Sequence, residues 1–184
     1  MTYTETYKRD LFQTLDKIDL TKVDQAIDWL REARDAGRTI FVCGNGGSAS
    51  TASHFACDIV KGASFQREKR FRIQALTDSL PTMTAYSNDV GYDCVFEEQL
   101  RNFAQPGDVV MAISGSGNSP NVLRAVGYAN GAGCRTIGLT GRDGGKLGAM
   151  AQLNVQVPAP HMGRIEDAHM IVCHMIGYYF MEQD

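Results

Sequence analysis

The chain lacks any pair of cysteines at CxxC spacing. Its five cysteines, at 43, 57, 94, 134 and 173, are odd in number and scattered. That pattern argues against a disulfide framework or a cysteine-rich zinc site and predicts reduced thiols in a cytoplasmic protein. No apolar run approaches the roughly 18 residues of a membrane span, so no membrane partner is expected. The opening residues MTYTETYKRD contain neither an apolar core nor a small-residue cleavage site, so no signal peptide is visible. A basic block is missing as well: the densest cluster, 67–72, is interrupted by Glu68. With a net charge of −3 there is no electrostatic footprint for nucleic acid. Nor is there a repeat or a low-complexity tract. What remains is one domain, 1–184, long enough to bury a core without staples.

The residues around which the chain is organised are 39–60, TIFVCGNGGSASTASHFACDIV. Ile40 to Cys43 reads as a buried strand. Gly44-Asn45-Gly46-Gly47 follows as a tight turn, where missing side chains let backbone approach a ligand. Ser48 and Ser50 lead into a helix on which His54 and Asp58, four residues apart, share a face. Strand, glycine turn and helix start together form an anion-binding arrangement. Such turns also serve packing, and the His54/Asp58 pair also reads as an ordinary exposed helix pair.

Residues 2–36 form an amphipathic helical preface, divided near Asp19 or Thr21 and closed by Gly37, that packs on its own domain or a neighbouring subunit. Further strands are expected at 71–76, 108–113, 134–140 and 153–157. Helices are expected from Pro81 to about 88–91, at 92–103, at 121–131 and at 164–181, with 141–145 a loop. This alternation predicts an α/β fold with a parallel sheet covered on both faces. Just beyond the third strand, Ser114-Gly115-Ser116-Gly117-Asn118-Ser119 offers three hydroxyls and two glycines at a helix start. A phosphomonoester needs many donors without obstruction, and this loop supplies them. The GxxxxGK[ST] spacing of a nucleotide loop is absent. A serine-rich turn without a ligand is the competing reading.

Taken in order, Gly44-Asn-Gly-Gly-Ser48 with His54, Asn88-Asp89, the 114–119 loop, Leu139-Thr-Gly-Arg-Asp-Gly-Gly145 and Arg164-Ile-Glu-Asp-Ala-His169 through His174 resemble the phosphoheptose isomerase branch of the sugar isomerase (SIS) family. The resemblance runs from about residue 10 to the end. It implies a three-layer αβα sandwich with a five-stranded parallel sheet of flavodoxin type, a homotetramer, and active sites at subunit interfaces. It also implies conversion of D-sedoheptulose 7-phosphate to D-glycero-D-manno-heptose 7-phosphate. Phosphate contacts fall by position on Ser114, Gly115, Ser116 and Ser119, and sugar contacts on Asn45, Gly46, Gly47, Asn88 and Asp89.

The resemblance further implies one zinc per subunit, held by His54, Asp58, Glu166 and His174. Asp58 stands where the family has a glutamate that is both base and ligand, and Glu166 stands where it has a glutamine. Asp58 and Glu166 would also touch the sugar. All four residue types suit zinc. Glu166 and His174 are eight residues apart, about 12 Å along a straight helix, so both reach one ion only if Glu166 lies at an irregular helix start. Asp58 is the expected base and His174 the acid/base partner. His169 reads as structural, whereas His161 is a possible substrate contact. Two other functions stay open on these residues: isomerase or epimerase of a different sugar phosphate, and a non-catalytic SIS binding protein of the kind that associates with the replication initiator.

Overall fold

The computed structural model describes residues 1–183. Five strands, β1 (Thr39–Gly44), β2 (Arg72–Ala75), β3 (Val109–Ser114), β4 (Arg135–Gly141) and β5 (Leu153–Val157), form one sheet in the order β2-β1-β3-β4-β5. Every pairing is parallel. Eight α-helices cover it: α1 (Tyr3–Leu15), α2 (Leu20–Asp35), α3 (Gly47–Cys57), α4 (Leu80–Asp89), α5 (Glu97–Phe103), α6 (Pro120–Gly131), α7 (Gly145–Met150) and α8 (Met162–Glu182). This is the parallel sheet covered on both faces expected from the alternation of elements, and the three-layer αβα sandwich that the resemblance implies.

The central strands are apolar throughout because both of their faces are buried. In β1, Ile40 and Val42 face a core shared with α2, α3 and α8, where Leu30, Phe55, Ile176 and Phe180 meet. Phe41 and Cys43 face the opposite core, which Phe96, Leu100, Val126 and Leu147 fill from α5, α6 and α7. Strand β3 alternates in the same way, Met111 and Ile113 to one side and Val110 and Ala112 to the other. Each of the larger side chains here, the Ile, Val, Leu, Phe and Met, contributes about 1.5–3 kcal/mol by leaving water. Asp108, buried below the start of β3, aligns the strands by accepting from Thr39 N at 2.9 Å and Gln105 N at 2.8 Å.

Several boundaries differ from the sequence reading. The preface does divide at Asp19, one of the two positions expected, whose carboxylate caps α2 by accepting from Thr21 N at 3.1 Å; others shift. Residues 92–103 are not one helix: a single 3₁₀ turn, Tyr92–Cys94, precedes α5. Residues 146–150, to which the sequence reading gives no element, belong with Gly145 to helix α7. After α3 the chain does not continue as α-helix but makes a π-turn over Asp58–Gly62, with Ala63 N donating to Asp58 O at 3.1 Å.

The strand order reverses between β1 and β3, since the chain leaves β1 toward β2 on one side and returns to β3 on the other. A crevice opens beyond the carboxyl ends of strands at such a point, and ligands of this architecture bind there. The turn 44–47 and the loop 114–119 flank it.

Candidate active site

The first wall is the turn after β1. Gly46 adopts φ 56°, ψ −122°, a conformation closed to residues with a β-carbon, and leads into α3. Asn45 is held by a reciprocal amide pair: its Nδ2 donates to Asn121 Oδ1 at 2.8 Å, and Asn121 Nδ2 donates back to Asn45 Oδ1 at 2.8 Å. The Tyr92 hydroxyl adds a third bond to Asn45 Oδ1 at 2.8 Å. Asn45, expected to touch sugar, thus spends its side chain on fastening β1 to the start of α6. Asn121 and Tyr92, which the sequence reading passed over, carry that fastening.

The second wall is the loop after β3. Ser114 Oγ lies 3.4 Å from Ser116 Oγ and 3.3 Å from Ser119 Oγ, so the three hydroxyls converge. Gly117, at φ 64°, lets the loop bend, and a β-carbon there would sit 2.1 Å from Gly144 O. The segment after β4 supports the loop from beneath. Leu147 N donates to Gly117 O at 2.9 Å, and Lys146 N to Asn118 Oδ1 at 3.2 Å. Pro120 opens α6 directly behind the serines, so the positive end of that helix faces the same space.

Helix α8 touches both walls. Met162 covers Gly115, whose added β-carbon would meet its sulfur at 2.6 Å. One turn on, the Glu166 carboxylate lies over Gly47. Farther along, His174 meets α3: its Nε2 is 3.2 Å from His54 Nε2 and 3.8 Å from Asp58 Oδ2, while His54 Nε2 lies 3.3 Å from that same oxygen. Of the four residues expected to bind zinc, the structure therefore groups three. One ligand atom from each of His54, Asp58 and His174 falls within 4.8 Å of the others. Glu166 does not join them, because it sits in the regular early turns of α8 and not at an irregular helix start. Asn88 and Asp89 end α4, exposed and bonded to one another at 2.7 Å, with no hydrogen bond to either wall.

Sequence comparison places this arrangement. A family model described as SIS domain matches residues 2–141. A phosphoheptose isomerase from Syntrophotalea carbinolica is 38% identical over 174 residues, covering 93% of this chain and 88% of that protein. One from Pelobacter propionicus is 44% identical over 147 residues, covering 80% and 77%. The phosphoheptose isomerase structure from Neisseria gonorrhoeae superposes with a TM-score of 0.89 at 33% identity, covering 96% of each chain. The chain belongs to the phosphoheptose isomerase branch of the SIS family.

Within this SIS domain the donor set of two imidazoles and one carboxylate, with their ligand atoms already converged, fits a divalent ion such as zinc. An ion held by three protein donors would keep a coordination position open, as catalytic sites do. The other two histidines are engaged elsewhere. His161 caps α8, its Nδ1 accepting from Arg164 N at 3.4 Å, and its ring meets Tyr7 edge-on. His169 is buried, with Nε2 3.1 Å from Thr140 O, and burial pushes its pKa down to about 4, which keeps the ring neutral. This buried placement against β4 accords with the reading of His169 as structural.

Proposed function

We propose that the chain is a ketose–aldose isomerase acting on D-sedoheptulose 7-phosphate, giving D-glycero-D-manno-heptose 7-phosphate. The observation that carries this reading is the pairing, along one helix, of a hydroxyl-lined anion loop with an acid/base cluster. Met162 closes on the loop at Gly115, and His174 meets His54 and Asp58. Isomerisation moves a proton between neighbouring carbons through an enediol and needs a base for the carbon, a donor for the oxygens, and an anchor for the phosphate. Asp58 takes the carbon-bound proton and returns it to the adjacent carbon. His174 carries the proton between the two oxygens. Ser114, Gly115, Ser116 and Ser119 anchor the phosphate. Gly46 and Gly47 offer backbone to the sugar, Glu166 faces it across Gly47, and Asn88 and Asp89 lie on α4 at the far side. Zinc, one per subunit on His54, Asp58 and His174, would when bound polarise the sugar carbonyl.

Asp58 and Glu166 are the two departures from the resemblance, and they favour a second substrate reading. A carboxylate over Gly47, in place of a neutral amide, suits a different ketose phosphate of the same class. The exposed Val60, Met175 and Tyr178 beside the histidine cluster support assembly into a homotetramer that covers it. Incubating purified protein with sedoheptulose 7-phosphate, and in parallel with other ketose phosphates, tests both readings. Turnover of the heptose supports the first and selective turnover of another sugar the second. Binding without turnover of any sugar would replace both with a non-catalytic role.

A further inference from the structure

The phosphate anchor described above contains only neutral donors, although a phosphomonoester carries about −1.5 to −2 near neutral pH. On the β4/β5 side of the loop, Ser116 and Asn118 form one wall of an open cleft of about 670 Å³. Its other walls are Arg142, Asp143 and the 158–160 turn. Of the residues lining it, Arg142 is the single cation.

Three further observations concern this arginine. Arg142 is exposed and enters no ion pair among the described residues, whereas most of its counterparts on the surface are paired, as Arg124 is with Asp93 and Glu97. Its backbone has φ 53°, a left-handed conformation that a residue with a β-carbon seldom adopts unless its surroundings hold it there. Gln156 Nε2 helps to fix this backbone, donating to Arg142 O at 2.7 Å. The neighbouring carboxylate of Asp143 is occupied in accepting from Gly145 N at 3.1 Å. The one anionic side chain lining the cleft is thus tied to the backbone of its own loop.

We propose that Arg142 is the phosphate-recognition cation of this site, its guanidinium closing from the cleft onto the phosphate that the 114–119 loop holds. A charge-assisted hydrogen bond is about twice as strong as a neutral one, and the planar guanidinium matches two phosphate oxygens at once. Arg142 is then a specificity residue: it favours a dianionic phosphate over neutral sugars. The inference rests on reading 114–119 as the phosphate loop.

The test measures calorimetric binding of inorganic phosphate, at fixed ionic strength, to the wild type and to Arg142→Ala, Arg142→Lys, Arg142→Gly and Ser116→Ala. Arg142→Ala is expected to weaken binding about tenfold, Arg142→Lys to recover part of the loss, and the same loss to show in KM for the sugar phosphate and not in kcat. Arg142→Gly relieves the backbone strain, so it should melt higher than Arg142→Ala yet bind phosphate equally weakly. That separates recognition from folding. If Arg142→Ala binds like wild type while Ser116→Ala is weakened, the arginine has no such role and the loop keeps its own. If neither change matters, or wild type binds no phosphate, the loop reading falls and this inference with it.

Discussion

The carboxylate of Glu166 lies directly over Gly47: a methyl group added at that glycine would come within 2.7 Å of Glu166 Oε1. The contact joins the start of α3 to the early turns of α8 and places a negative charge at the positive end of a helix, where it is favoured. Gly47→Ala should consequently push the Glu166 side chain aside without straining backbone. We expect a stability change within about 1 kcal/mol, together with a fall in turnover of tenfold or more. Thermal melting beside steady-state kinetics checks both halves. Wild-type turnover in the variant would detach Glu166 from substrate handling.

The serine loop predicts a different kinetic signature. Contacts to a phosphate persist largely unchanged from ground state to transition state, so their loss raises KM more than it lowers kcat. Removing the converging hydroxyls in the double variant Ser116→Ala/Ser119→Ala should raise KM by one to two orders of magnitude, at about 1–1.5 kcal/mol per hydrogen bond. A KM equal to that of wild type sinks the assignment.

Asp58→Asn leaves the π-turn its backbone and removes the negative charge beside both imidazoles. Turnover should drop at least about a hundredfold, the scale of general-base catalysis, while the melting profile of the metal-free protein stays close to wild type. Zinc should raise the melting temperature of the wild type, with about 2.7 kcal/mol of added stability at a hundred times the dissociation constant. It should do so much less for the variant. Elemental analysis before and after chelation, paired with these melts, provides the measurement. Equal zinc-induced stabilisation of wild type and Asp58→Asn would remove Asp58 from the ligand set.

His169 supplies a pH dependence of folding. Burial holds its pKa at about 4 in the folded protein, against the ordinary 6.5. Between those values the unfolded chain takes up a proton that the folded one refuses, so stability is fully present above pH 6.5 and is lost as pH falls toward 4. The full span corresponds to about 3 kcal/mol. Urea titrations from pH 7.5 to 4.5 should show a steeper acid decline in wild type than in His169→Gln. Parallel profiles would mean that the ring becomes charged without penalty.

How much of this was legible in the chain depended on the range of the interaction. Local periodicity was enough for the five strands, because β1 and β3 are buried on both faces and read as unbroken apolar runs. The His54/Asp58 pair was readable for a similar reason: the two are four residues apart, and Asp58, the C-cap of α3, still has helical backbone angles. Helix α7 escaped notice because Gly145 and Gly148 depress helix propensity in a six-residue segment that its hydrogen bonds to the serine loop hold in place. The π-turn at 58–62 leaves no trace in hydrophobic spacing. The partners of Asn45 and Glu166 come from distant parts of the chain, and no pattern within either segment names them. Arg142 was visible as a letter in a motif, but its left-handed backbone and the cleft beside Ser116 exist only once β3, β4 and β5 are aligned.

The Asn45–Asn121 amide pair carries a consequence of its own. Each partner gives one hydrogen bond and receives one, and neither carries a charge. Ion pairs weaken in salt, and imidazole contacts change character as they titrate. This clasp does neither, so the link it makes between the end of β1 and the start of α6 does not depend on ionic strength or acidity in the way that charged contacts do. A change of salt or pH that reaches the histidine cluster therefore leaves this fastening of the two walls as it is.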